Sequence, residues 1–329
     1  MIENQIKGSP EGPIAINSIF GWILCGKYDT CEDSCLSNIP KKLDIIEEFR
    51  EANDDKNLNN LITKFHEVEN LGINDESNVM TDFQKDLRFN GERYVCKLPI
   101  KKHHEFIPDN YSNSQRRLMS LHNRLLKNEK LCKEYDDIIA DYAKNDIIEK
   151  VDHEGGEGLV HYLPHRPVIR EDRETTKVRI VFDAASKVSK DEPSLNECLY
   201  SGPCLLPSLY EILLRFRMGK IGLVSDVQQA FLNIEIDEEH RDLVRFLWFK
   251  DVFAEKLEIV VYRFNRVLFG LTSSPFLLNA TIAFHLMMKL KAGIDVDVIR
   301  KLLRNLYVDD SPIAVNDVKE GAEFYVQVT

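Results

Sequence analysis

Apolar positions recur along this chain in two rhythms. From Ser112 onward Leu118, Leu121, Leu125 and Leu126 fall three and four apart, and Tyr135, Ile138, Ile139 and Tyr142 continue the stripe, which predicts helices packing on a core. "LLPSLYEILLRFRMG" predicts another helix, with Pro207 near its start, Leu209, Ile212, Leu213 and Phe216 on one face, and Gly219 at its stop. "SPFLLNATIAFHLMMKLKAG" and "VIRKLLRN" read the same way. The second rhythm is that of strands. "HYLPHRPVIR" and "KVRIVFDAAS" are joined by the charged turn "EDRETT", "LVRFLWFK" and "LEIVVYRFN" flank a hairpin, and "KIGLVSDVQQAFLNIEI" is a strand running into a turn. Residues 13–28, "PIAINSIFGWILCGKY", predict one or two short buried strands, and residues 92–100, "ERYVCKLPI", a strand ended by Pro99. Between these, residues 29–92 are acidic and Asn-rich, with short helical stretches in "LDIIEEFREA" and "LNNLITKFHEVENLGI". They predict a connector with docking helices, and the first 92 residues together are expected to pack loosely on the rest. The mixture of helices and antiparallel hairpins over residues 160–329 predicts an α+β domain without a regular βαβ rhythm.

Composition narrows the class. A chain of 329 residues accommodates two or three domains, and 43% apolar with 29% charged residues is the balance of a soluble globular protein. No stretch reaches the roughly 18 consecutive apolar residues of a membrane span. The start, "MIENQIKGSPEG", lacks the basic-then-apolar order of a signal peptide. The seven cysteines are an odd, scattered set, which points to reduced thiols in the cytoplasm. Cys25, Cys31 and Cys35 lie close together, but no further Cys or His pair completes a zinc pattern, so ordinary loop cysteines are expected there. Neither G-x-x-x-x-G-K-[ST] nor G-x-G-x-x-G is present, which excludes the common phosphate-binding loops. The net charge of −11 argues against a nucleic-acid binder until its distribution is read. Residues 1–100 hold 11 Lys/Arg against 18 Asp/Glu, whereas the longer remainder holds 32 against 36 and has room for a basic groove.

Two acids interrupt the apolar run "NLYVDDSPIAV", Asn305 to Val315. Asp309 and Asp310 form either a solvated turn between strands or half of a metal site. A third acid, Asp226, ends the apolar run Ile221–Val224, 83 residues before Asp309. Together they allow a three-carboxylate cluster, one acid at a strand end and two at the tip of a neighbouring hairpin. Such a cluster repels itself unless divalent cations sit in it. Mg²⁺ suits hard oxygen ligands and keeps positions open for water and phosphate. Two such ions, roughly 3.5–4 Å apart, support in-line phosphoryl transfer. Lys177 and Arg179, two apart and hence on one strand face, offer either a solvated edge or cations for incoming phosphates.

Four segments carry a resemblance. "TKVRIVFDAAS" at 176–186, "SDVQQAF" at 225–231, "FGLTSSPFLLN" at 269–279 and "YVDD" at 307–310 occur in the order and spacing of the fingers and palm of a reverse transcriptase. The finer pattern, "HYLPHRPVIREDRETTKVRIVFDAAS", "PSLNECLYSGPCLLPSLYEILLRFR" and "RFLWF", resembles the polyprotein of BEL/Pao-type retrotransposons over about residues 93–315. "FGWILCG" at 20–26 resembles the tail of that family's retropepsin-like protease, and residues 41–72 its connector. This chain has His66 in the connector where the family usually has Trp.

The resemblance implies a right-hand polymerase fold, with fingers and a palm whose antiparallel sheet is flanked by helices, acting as an RNA-directed DNA polymerase. It implies Asp226, Asp309 and Asp310 as metal-binding catalytic acids, with the Val227 carbonyl as a further ligand for two Mg²⁺ ions, Mn²⁺ being a substitute. Lys177 and Arg179 match residues that hold the incoming triphosphate. Phe231 matches the aromatic gate below the sugar, and Phe269 with Gly270 the turn near the nucleotide and template base; read from the residues alone, both rings are equally well core packing. The implied partners are an RNA or DNA template with its primer, deoxynucleoside triphosphates and the rest of the polyprotein, in a virus-like particle for a full element. The expected layout is a protease remnant at 1–28, a connector at 29–92 and truncated fingers and palm at 93–329. No Asp-Thr-Gly or Asp-Ser-Gly occurs, so no protease activity is expected. Only 19 residues follow Asp310, so no thumb is expected, and an inactive remnant that at most binds nucleic acid is the rival reading.

Overall fold

A computed structural model describes residues 4–7, 14–18, 21–25, 74–102, 106–151, 159–169 and 178–328, with the backbone alone for the first three segments and for residues 74–78. The helices expected within residues 41–72, the "EDRETT" turn and Lys177 lie outside the described residues. By internal contacts the chain divides into residues 1–68 and residues 69–329. In the first unit β1 (Asn4–Lys7), β2 (Ile14–Ser18) and β3 (Gly21–Cys25) form an antiparallel meander; of the one or two short strands expected in residues 13–28 there are two.

The second unit is a mixed α+β fold. It begins earlier than residue 93. Helix α1 (Asn74–Asp86) buries Val79, Met80 and Phe83, and the Phe83 ring meets Phe276 edge-on at 5.3 Å between centroids. The expectation of loose packing up to residue 92 therefore fails for this helix, because its apolar stripe is seated in the core. After β4 (Arg88–Phe89) and β5 (Tyr94–Cys96), the long amphipathic stretch folds as two helices, α2 (Tyr111–Leu125) and α3 (Glu129–Lys144). Asn128 breaks the stripe by capping α3, its side chain accepting from the Leu131 amide at 3.2 Å. Leu118, Leu121, Leu125, Tyr135 and Ile139 are buried as their spacing predicts, but Leu126, at the break, is exposed.

These two helices cover β7 (His165–Ile169) paired with β8 (Val178–Phe182), and a three-stranded antiparallel sheet of β6 (Ile148–Lys150), β11 (Arg245–Phe249) and β12 (Ile259–Phe264) in the order β11–β12–β6. All five residues of β11 are buried, as a strand covered on both faces requires. Phe182, Phe246, Phe264, Tyr135 and Trp248 interlock around His165. Not every pair is antiparallel. β10 (Ile234–Ile236) runs parallel to β5, a pairing the long crossover between them allows.

The rest of the unit surrounds a two-stranded ribbon. Helix α4 (Leu209–Met218) leads into β9 (Ile221–Asp226), and helices α5 (Ser274–Lys291) and α6 (Val296–Asn305) precede β13 (Asp310–Val315) and helix α7 (Val318–Val328). The inner ribbon face, with Ile221, Leu223, Ile313 and Val315, packs on Val298 and Leu302 of α6 and Phe324 of α7. Helix α4 lies against the ribbon at its glycines. A Cβ on Gly222 would come within 2.5 Å of the Phe216 ring, and one on Gly219 within 2.6 Å of Ala314. This close approach uses little of the helix. Of its expected apolar face only Ile212 is buried, while Leu209 and Leu213 remain half exposed.

Candidate active site

The ribbon register brings the three acids together. Asp310 is the direct cross-strand partner of Asp226, and the Val227 amide donates to the Asp309 carbonyl at 2.9 Å. Directly opposed residues of an antiparallel pair share a face, so two carboxylates are held side by side where like charges destabilise the pairing. Asp226 and Asp310 are exposed and Asp309 is half-buried. Among the described residues none of the three carboxylates has a hydrogen-bond or ion-pair partner. The Val227 carbonyl accepts from the Ala230 amide at 3.1 Å.

The turn that carries Asp309 is a two-residue hairpin, closed by the Tyr307 amide on the Asp310 carbonyl at 2.8 Å and the reverse bond at 3.1 Å. Its first central residue, Val308, has φ +61°, a left-handed conformation that such turns need and that a β-branched side chain resists. The surroundings hold it there. Arg215, from α4, donates through Nε to Asn305 Oδ1 at 3.0 Å and through a terminal nitrogen to the Arg304 carbonyl at 2.5 Å. Asn305 in turn donates to the Lys301 carbonyl at 2.7 Å. The C-terminus of α6 is thus clamped just before the turn. At the far end of β13, Lys301 bridges to Glu320 at 2.5 Å, and the other Glu320 oxygen accepts from the Asn316 amide at 2.8 Å. These bonds hold the Glu320 carboxyl below its ordinary range, the backbone amide most of all.

Beyond Asp226 the chain turns sharply, with Gln229 at φ +51°, into a 3-10 turn that buries Phe231. Phe231 is 2% exposed and Phe269, against it at 4.2 Å between centroids, is 66% exposed. The outer ring covers the inner one. Gly270 follows at φ +108°, and a Cβ there would lie 2.6 Å from the Phe182 carbonyl at the end of β8, so both conformation and space require glycine. Arg179 stands exposed on β8 opposite Val168, its charge felt by Tyr142 of α3, whose hydroxyl burial otherwise pushes up. The structure therefore gathers Asp226, Val227, Asp309 and Asp310 at one ribbon end, with Phe231, Phe269 and Gly270 on the segments that follow and flank it. Arg179 has no bond to either group among the described residues.

Sequence reasoning missed the two clamps, Arg215 and Asn196. The Asn196 side chain bonds the 270–272 turn on both its atoms. Its only local signal was the Ser194–Glu197 spacing of a capping box, which marks a turn but not what the asparagine inside it does. The donor set at the ribbon tip is chemically suited to a hard divalent cation. Even so, among the described residues no three carboxylate, imidazole or thiol side chains stand grouped to hold a metal ion. No helix among the described residues is long and apolar enough to cross a membrane.

The chain matches no protein-family profile and no curated protein. Among solved structures it is similar to the foamy viral protease-reverse transcriptase dRH in complex with double-stranded DNA, at 19% identity and a TM-score of 0.38, covering 59% of this chain and 27% of that one. It is also similar to the Prototype Foamy Virus Protease-Reverse Transcriptase CSH mutant in selenomethionine-labelled form, at 15% identity and a TM-score of 0.44, covering 81% of this chain and 31% of that one. The chain spans less than a third of the length of each.

Proposed function

We propose that residues 93–329 are the fingers and palm of an RNA-directed DNA polymerase from a BEL/Pao-type retrotransposon, preceded by a protease remnant at 1–28 and a connector at 29–92. The observation that carries this reading is the direct pairing of Asp226 with Asp310, beside Asp309. Acids from two segments far apart in sequence come to one end of the ribbon, and among the described residues none of their carboxylates has an ion-pair partner.

In this reading Asp226, Asp309 and Asp310, with the Val227 carbonyl, would hold two Mg²⁺ ions, Mn²⁺ being a substitute. Bound there, the ions would activate a primer 3′-hydroxyl and neutralise the leaving pyrophosphate. The chain's own contribution is geometric. The ribbon sets Asp226 opposite Asp310 with Asp309 in the adjoining turn; among the described residues the three carboxylates are not grouped as a cation site, so binding would have to draw them together. Arg179, with Lys177, would meet the triphosphate of an incoming deoxynucleotide. Phe231 would be the ring below its sugar that excludes a 2′-hydroxyl by bulk, with Phe269 packed over it on the turn near the nucleotide and template base. The remaining partners would be a primer on an RNA or DNA template and the rest of the polyprotein.

Primer extension on an RNA template tests the reading. Asp309→Asn keeps the shape of the turn and removes one charge from the donor set, and should reduce synthesis by about 2–4 kcal/mol of barrier or more. Asp226→Asn should do the same, with the double variant far from additive. Undiminished synthesis by Asp309→Asn would return the acid pair to an ordinary turn.

A further inference from the structure

We infer that Asn196 is a positioning residue for sugar selectivity, acting through the Phe269–Phe231 ring pair. The inference rests on the polymerase reading above and adds to it a residue that touches neither sugar nor metal.

The Asn196 side chain is used entirely on another segment. Its Nδ2 donates to the Gly270 carbonyl at 2.9 Å, and its Oδ1 accepts from the Thr272 amide at 2.8 Å. Its own amide donates to the Ala184 carbonyl, just past β8, at 3.0 Å. One residue thus ties the end of β8 to the turn that carries Phe269. The short helix it sits on, Leu195–Cys198, does not depend on these bonds. A complete capping box closes that helix, with Ser194 Oγ accepting from the Glu197 amide and Glu197 accepting from the Ser194 amide, and Lys187 pairs with the same carboxylate at 2.7 Å. Local stability therefore does not account for the asparagine.

The turn is anchored at its base by buried Leu268 and Leu271 and by Ser274, whose Oγ donates to the Leu268 carbonyl at 2.7 Å, and the clip fixes its tip. Phe269 and Gly270 are both exposed. On its inner side the turn rests against the Phe182 carbonyl, so it can move only outward. Outward motion would carry Phe269 off Phe231. The two rings then cease to be one wall, and a buried gate becomes an uncovered one with free space beside it. Selectivity by bulk depends on where the bulk stands, and a displacement of about 1 Å is enough to change a rate by about a hundredfold. At the Gly270 carbonyl, which is at the surface, water can replace the lost donor.

The test compares deoxycytidine and cytidine triphosphates on the full chain with a primer–template and Mg²⁺. It uses equilibrium binding and single-nucleotide incorporation, in wild type, Asn196→Ala and Asn196→Asp. Asn196→Asp keeps the acceptor for Thr272 and sets a carboxylate against the Gly270 carbonyl, so it reports on the same clip should the alanine variant unfold. The expected result is a fall of at least about tenfold in the deoxy-to-ribo ratio, with cytidine triphosphate gaining. Asn196→Ala added to Phe231→Ala should change the ratio no further, because both act on one wall. Equal weakening of both nucleotides, with the ratio kept, overturns the inference and leaves Asn196 a structural tie. A wild-type chain that binds neither nucleotide overturns the polymerase reading, and this inference with it.

Discussion

The sheet of β6, β11 and β12 and the ribbon of β9 and β13 are both antiparallel, yet they are built to opposite standards. In the sheet, Arg245–Phe249 is buried without a gap, and rings from four elements close over His165. Polar groups there are matched. Trp248 Nε1 donates to Asp136 at 2.8 Å, and the buried Arg245 guanidinium meets Asp242 at 2.9 Å. Arg263 ties that same Asp242, at 3.1 Å, to Glu149, at 2.6 Å. In the ribbon, Val224 and Asp226 are exposed, Ser311 Oγ is buried without a partner among the described residues, two aspartates oppose each other and a valine holds a left-handed turn. The sheet follows the rules of a stable core. The ribbon breaks several of them within a few residues, as the proposed function would require of positions kept for a ligand.

If that division is right, the two regions should respond oppositely to substitution. The largest effect belongs to the sheet. Trp248→Ala removes the ring stacked on Tyr135 and leaves Asp136 without its donor, and should cost about 3–5 kcal/mol. Urea denaturation reads this directly, and a cost under about 1 kcal/mol would mean that the sheet is not the core.

Acid should strike the same region next. Both nitrogens of His165 are spoken for. The Leu247 carbonyl can only accept, so Nε2 carries the proton, and Nδ1 takes the Tyr135 hydroxyl. Burial lowers its pKa to about 4, with Arg117 adding to the shift and the carbonyl opposing it. The unfolded imidazole binds its proton near pH 6.5 and the folded one near 4, so stability is full above about 6.5 and falls as pH drops toward 4. The loss is about 3 kcal/mol. Burial lowers His161, His240 and His285 as well, which gives their contributions the same sign. The check is the denaturation midpoint of wild type and His165→Gln between pH 7 and 4, where the variant should show the shallower slope.

Arg215→Ala probes the junction between the two regimes. It removes the charged donor from the Arg304 carbonyl and from the buried Asn305, for about 2 kcal/mol. Amide hydrogen exchange at residues 305–310 should quicken while that of β11 stays unchanged. Equal acceleration in both would show one cooperative unit rather than two.

How much of this was legible follows from what the chain writes in side chains. The hairpin of β11 and β12, the strands around "EDRETT" and the meeting of Asp226 with Asp309–Asp310 all rest on alternation and on acids that interrupt it, and the register shows them. The clamps by Asn196 and Arg215 were invisible because their partners are backbone carbonyls and amides, which every residue has. The open face of α4 was misread because an apolar stripe says that a face prefers burial and not how much of it a neighbour reaches; the ribbon comes close at Gly222, under the Phe216 ring, and leaves Leu209 and Leu213 half exposed. The left-handed Val308 had no signal at all, since β-branching argues against it.

The smallest effect sharpens the comparison most, because its sign is reversed. Asp310→Asn leaves the size and exposure of the side chain almost unchanged and removes one of two like charges that face each other across the ribbon. Without bound cations, this should stabilise the fold by about 0.5 kcal/mol, the scale of a cross-strand pair. Screening makes the gain smaller in high salt. Added Mg²⁺ should stabilise wild type and do less for the variant, since a ligand stabilises only the state that binds it. The same substitution at Asp242, on the turn just before β11, should do the opposite, because there the carboxylate is the shared partner of Arg245 and Arg263 and its loss leaves the buried Arg245 guanidinium without its counter-charge. Paired melts of Asp310→Asn and Asp242→Asn, with and without Mg²⁺, therefore test whether the ribbon, unlike the sheet, is a region that a ligand stabilises. Destabilisation by both would mean that the ribbon acids are structural after all.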